Sequence, residues 1–123
     1  MNRILLAEDN EMNRDMLSRR LARYGYEVVV AVNGQEAIEL TQSESPDVVL
    51  MDLTMPVLDG WQATRQLKED DATADIPIVA LTAHALKDDR QRALDAGCDR
   101  FLTKPVDIKK LRSTLRELLS GGD

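Results

Sequence analysis

Residues Val48-Val49-Leu50-Met51-Asp52 run from four consecutive apolar side chains into a carboxylate, and a turn-rich stretch follows, Leu53-Thr54-Met55-Pro56 with Asp59-Gly60. An uninterrupted apolar run reads as a strand covered on both faces. In open α/β sheets ligands bind in the crevice outside the carboxyl ends of the strands, which puts Asp52 at that edge. Two further runs end alike: Arg3-Ile4-Leu5-Leu6-Ala7 meets Glu8-Asp9, and Ile78-Val79-Ala80-Leu81 meets Thr82. A shorter run, Arg100-Phe101-Leu102-Thr103, meets Lys104-Pro105. Aligned in one parallel sheet, these ends gather three carboxylates, a hydroxyl and an ammonium.

The intervening segments fit helices. From Glu11 to Tyr24, Met12, Met16, Leu17, Leu21 and Tyr24 recur at three- and four-residue steps, and Gly25 follows as a left-handed stop. Glu27 to Val32 is β-branched and reads as a strand. Asn33 with Glu36 forms a capping-box variant that opens a helix to about Ser43, broken by Ser45-Pro46-Asp47. Asp70 to Pro77 reads as a polar loop. Further helices are expected from about Gly60 to Lys68, from about Leu86 to Ala96, and after Asp107, where Ile108, Leu111, Leu115, Leu118 and Leu119 form one stripe. The helix near Leu86 has the thinnest stripe, which makes it a candidate for movement or partner contact. Strand and helix alternation of this kind predicts a parallel sheet with helices on both faces.

At 123 residues the chain fits one domain, 1–123, with roughly two-thirds of its unfolded surface buried. Its 43% hydrophobic and 31% charged content is that of a globular protein. A net charge of −6 argues against non-specific binding to nucleic acid or to anionic membrane. The densest basic cluster, Lys109-Lys110 with Arg112 and Arg116, reads as a solvated helix face. Cys98 is the single cysteine, so no internal disulfide forms; it reads as a small buried hydrophobe. With no charged-then-apolar leader and no apolar run approaching ~20 residues, a reducing cytoplasm is the expected compartment.

The carboxylates explain one another. Adjacent like charges raise each other's pKa unless something neutralises them, and a hard divalent cation with oxygen ligands does so. Asp9 and Asp52 suit direct ligation of Mg²⁺, Glu8 can hold a metal-bound water, and the Thr54 carbonyl is placed to add a ligand. Asp52 can also attack phosphorus and form an acyl phosphate. Lys104 and the cation would offset charge on the transferred group, the Thr82 hydroxyl would bind one of its oxygens, and the Leu53 and Ala83 amides would reach others. No general base is required, because the nucleophile is already ionised. Pro105 fixes a turn that aims Lys104 back over the edge.

Together, Glu8-Asp9, Met51-Asp52-Leu53-Thr54-Met55-Pro56 with Asp59-Gly60, Leu81-Thr82-Ala83 and Lys104-Pro105 resemble the CheY-like receiver domain of bacterial response regulators, in order and across the whole chain. The resemblance implies an α/β fold with a doubly wound, five-stranded parallel sheet of order 2-1-3-4-5 flanked by five helices. It implies that Asp52 takes a phosphoryl group from a phosphohistidine of a sensor histidine kinase or histidine phosphotransfer protein, or from acetyl phosphate, with Mg²⁺ as cofactor. Such a protein is no dedicated enzyme; it catalyses its own phosphorylation and slow dephosphorylation, tuned at Thr54 and His84. Thr82 and Phe101 would couple phosphorylation to the face of the fourth helix, fifth strand and fifth helix, and so to a downstream protein target, in a monomer or a phosphorylation-linked dimer. Met12, Asn13, Met16 and Arg20, with Pro105, would dock the kinase.

Three alternatives stand beside this reading. A haloacid-dehalogenase-type aspartyl-phosphate phosphatase also uses a strand-end aspartate, threonine, lysine and Mg²⁺, but places a second aspartate where Thr54 stands. A receiver fold that no longer takes phosphate would lack some of these residue types. A receiver excised from a hybrid histidine kinase is the third; Met1 just before the first strand and only Gly121-Gly122-Asp123 after the last helix favour a free-standing regulator.

Overall fold

The computed structural model describes residues 2–53, 55, 57–83 and 87–120, the side chains of 87–89 and 120 excepted. Five strands, β1 (Arg3–Ala7), β2 (Glu27–Ala31), β3 (Val48–Asp52), β4 (Ile78–Thr82) and β5 (Arg100–Thr103), alternate with five helices. These are α1 (Glu11–Arg23), α2 (Gly34–Glu44), α3 (Gly60–Glu69), α4 (Lys87–Ala96) and α5 (Ile108–Ser120). The sheet is parallel throughout, in the order β2-β1-β3-β4-β5.

Strand alternation divides the core into two layers. Leu5, Ala7, Val49, Met51, Ile78 and Ala80 pack with Ala37 and Ile38 of α2, Ala63 and Leu67 of α3, and Ala93 of α4. Ile4, Leu6, Val48, Leu50, Val79 and Leu81 pack with Leu17 and Leu21 of α1 and Leu111 and Leu115 of α5. The central β1, β3 and β4 are buried on both faces, whereas the edge strands β2 and β5 are half-exposed.

Helix starts are tightly specified. Asn10 accepts from the Asn13 amide, Asn33 from Glu36, Asp59 from Gln62 and Asp107 from Lys109, each at 2.8–2.9 Å. Glu36 reaches back one residue before its cap and accepts from the Val32 amide at 3.2 Å. Gly25, at φ +91°, ends α1 in the left-handed region as expected. Cys98 is buried.

The stripe expected along α1 is corrected. Leu17 and Leu21 are buried, but Met12 is 82% and Met16 45% exposed. At ~100° per residue, Met16 and Met12 point roughly 100° and 140° away from Leu17, outside the seam that α1 lays on the sheet. Among the described residues no helix is long and apolar enough to cross a membrane.

Candidate functional site

Glu8 shares its strand face with Leu6, and Asp52 with Leu50, so both carboxylates leave the sheet on the side covered by α1 and α5. The Glu8 amide donates to the Ala31 carbonyl at 3.0 Å, extending the β1–β2 ladder to the acid itself. Glu8 is fully buried, Asp52 is 2% exposed, and Asp9 is exposed. One carboxylate oxygen of each lies within 4.8 Å of the others. Lys104, delivered by the turn after β5, bridges two of them: Nζ is 2.8 Å from Glu8 Oε1 and 2.8 Å from Asp52 Oδ2. The Lys104-Pro105 peptide is cis, and the Lys104 amide donates to the Thr82 carbonyl at 2.6 Å.

Burial first, and then the hydrogen bond with Asp52, push the Glu8 carboxyl up to about 7, against the opposing pull of Lys104. Burial alone would lower the Lys104 ammonium, but Asp52 and Glu8 outweigh it and raise its pKa above the usual 10.5. Lys104 is therefore a permanent cation at neutral pH. One ammonium faces three acids, and an oxygen-only donor set of this kind fits a hard divalent cation such as Mg²⁺.

Thr82 ends β4 and is buried; its register partner is Thr103, and the preceding Leu81 pairs with Asp52. Ala83 is exposed just beyond. Phe101 pairs with Ala80, two residues before Thr82 on the same face, and the Arg90 guanidinium of α4 lies 5.7 Å from its ring centroid. The Leu53 amide, expected to reach a phosphoryl oxygen, donates to the Leu81 carbonyl at 3.0 Å, continuing the β3–β4 ladder. Thr54 and His84 lie outside the described residues.

Of the expected docking residues, Asn13, Met16 and Pro105 line one concavity of about 480 Å³, together with Glu8 and Lys104. Met12 is not part of it and lines a separate groove with Val30 of β2. Arg20 is exposed, outside both.

Two residues were not picked out by their chemistry. A Cβ on Gly60 would fall on the Asp52 carbonyl oxygen and 2.6 Å from Leu53 Cα, so only glycine lets α3 start against the end of β3. The Asp59-Gly60 pair was legible only as a turn. Arg14 Nη1 donates to the carbonyls of Glu8 at 3.0 Å and Asp9 at 3.4 Å, and nothing in the local sequence separates it from other helix-surface arginines.

The family profile of the response regulator receiver domain matches residues 4–116. The chain belongs to the response regulator receiver domain family. It is 34% identical over 116 residues to the polar-differentiation response regulator DivK of Brucella anthropi, with 94% of each chain covered. Among solved structures, it is similar to the receiver domain of the sensor histidine kinase PA1611 of Pseudomonas aeruginosa, which has a magnesium ion coordinated in its active-site cleft; identity is 36%, coverage 97% and 98%, and the TM-score 0.91. It is also similar to a chain of the co-crystal structure of the Saccharomyces cerevisiae histidine phosphotransfer protein Ypd1 with the receiver domain of its downstream response regulator Ssk1; identity is 32%, coverage 97% and 89%, and the TM-score 0.89. The sheet order is that of CheY-like receivers. A receiver is the phosphoryl-accepting element of two-component signalling, and the phosphatase alternative is set aside.

Proposed function

We propose that Asp52 accepts a phosphoryl group from a phosphohistidine on a sensor histidine kinase or a histidine phosphotransfer protein, and that the acyl phosphate changes which protein the domain binds in the cytoplasm. The observation that carries this reading is the buried Asp52 carboxylate held at 2.8 Å by Lys104, beside Glu8 and Asp9. An Asp52 oxygen forms the new bond to phosphorus as the phosphorus–nitrogen bond breaks, and the bonding pair leaves with the donor imidazole. Lys104 stays in contact with the phosphoryl oxygens, and the Thr82 hydroxyl and Ala83 amide bind others. Asp9 and Asp52, with Glu8 through water and the Thr54 carbonyl, would hold Mg²⁺. Bound there, the ion supplies positive charge for the acids and the transferring group. Thr82 and Phe101 then bias the α4-β5-α5 face. The groove of Asn13, Met16 and Pro105 receives the phosphodonor protein, a reading supported by Lys104, which lines the groove and contacts Asp52.

Incubation with acetyl phosphate and Mg²⁺, read by intact mass, is expected to give one phosphoryl adduct, absent from Asp52→Asn and after EDTA. An adduct that persists in Asp52→Asn would overturn the assignment.

A further inference from the structure

Glu8 and Asp9 must each present a carboxylate in one direction if they are to share a cation, and their main chain is held by bonds from two other elements, β2 and α1. The Glu8 amide is held by the Ala31 carbonyl of β2. The Glu8 carbonyl belongs to a fully buried residue and needs a donor from the protein. Arg14, half-buried one turn into α1, supplies it at 3.0 Å, and the same Nη1 reaches the Asp9 carbonyl at 3.4 Å. The Asn10 amide adds a long bond to Glu8 Oε2 at 3.4 Å, and Asn10 caps α1. Among the described residues no ion pair includes Arg14, so its charge remains beside the acids without occupying any carboxylate oxygen.

We infer that Arg14 is a positioning residue for the cation site. By pinning the Glu8 and Asp9 carbonyls it sets the directions in which both side chains leave the backbone, and it moderates their mutual repulsion from behind. A guanidinium suits this task because its proton is never lost and its donors lie on a rigid plane. The Arg14 role rests on Glu8, Asp9 and Asp52 holding Mg²⁺ as proposed above.

Calorimetric titration of Mg²⁺ into the metal-free protein tests it, with Arg14→Met, Arg14→Lys and the control Arg19→Met. Amide hydrogen exchange at residues 8–10, recorded in EDTA, gives a readout independent of the metal. Arg14→Met is expected to bind Mg²⁺ about tenfold more weakly, the scale of losing an outer-shell partner, and to exchange faster at Asp9 and Asn10. Arg14→Lys is expected to restore only part of both, because an ammonium keeps the charge but not the planar donors. Arg19→Met, whose charge pairs with Asp15 in solvent, stays within about twofold because exposed charges are screened. A folded Arg14→Met with wild-type Mg²⁺ affinity and exchange overturns the inference. If Arg14→Met does not fold, Arg14→Gln is read by the same two criteria. A wild-type protein that gives no Mg²⁺ heat overturns the cation site itself, a result distinct from an Arg14 variant that matches a binding-competent wild type.

Discussion

The Lys104 ammonium and the Asp52 carboxylate meet at 2.8 Å although they stand 52 positions apart in the chain. The same nitrogen holds Glu8, so Lys104 competes with a metal ion for the acids while favouring phosphorus transfer to one of them. Lys104→Met separates these effects. Its phosphorylation by acetyl phosphate is expected to slow by about 10²–10³, as when a preorganised donor to a developing anion is removed. Its Mg²⁺ affinity is expected to be retained or tightened, because a competing cation has gone. Single-turnover rates by intact mass, with calorimetry for the metal, check both; loss of Mg²⁺ binding with a normal transfer rate would contradict the assigned role.

Gly60 and Gly25 are predicted to differ sharply. An added methyl at Gly60 meets the Asp52 carbonyl and Leu53 backbone, neither of which can yield, and the Gly60 amide already donates to Leu53 at 3.1 Å. Gly60→Ala is expected to cost about 1–3 kcal/mol as overpacking and to slow phosphorylation by moving Asp52. Gly25→Ala meets no atom within 4 Å but must keep φ +91°, so it loses stability through backbone strain alone. Its phosphorylation rate is expected to match wild type, and the two variants are compared by urea unfolding and transfer kinetics.

Val57 lies in the loop between β3 and α3 at φ +69°, a conformation that disfavours a β-branched residue. It is 83% exposed, so no packing compensates. Val57→Asn is expected to raise stability by about 1 kcal/mol, since asparagine tolerates this region. Differential scanning calorimetry should show a Tm higher by roughly 3–5 °C.

Cys98 carries a pH signature of folding. Burial pushes its thiol from 9.0 up to about 11. Between those values the native chain keeps a proton that the unfolded chain has lost, so its contribution lowers stability as pH rises through that window. Urea midpoints are expected to fall less between pH 8 and pH 10 in Cys98→Ala than in wild type. A thiol-specific reagent at pH 8 should label the native protein far more slowly than the unfolded chain.

Much of this architecture is legible in the chain because each central strand is a pure apolar run that stops at a charged or hydroxyl residue. That punctuation locates Glu8, Asp9, Asp52 and Thr82 at one edge once the strands are taken as parallel, and Lys104 joins them from the turn after the edge strand β5. The departures share one cause, the dependence of a contact on register or on helix rotation. Met12 and Met16 satisfy helical spacing yet face solvent, because Leu17 and Leu21 alone define the seam. The Leu53 amide is bound to Leu81, a partner that only strand register selects. Arg14 and Gly60 meet backbone carbonyls brought to them by the fold, and a carbonyl has no residue type to read.

The most direct measurement is chemical trapping of the acyl phosphate. The protein would be phosphorylated with acetyl phosphate and Mg²⁺, reduced with borohydride, digested and mapped by mass spectrometry. Reduction of an aspartyl phosphate leaves homoserine at the acceptor. The predicted result is homoserine at Asp52 alone, abolished by EDTA. Homoserine at Asp9 or elsewhere, or none at Asp52 in a protein that has gained a phosphoryl group, would contradict the account.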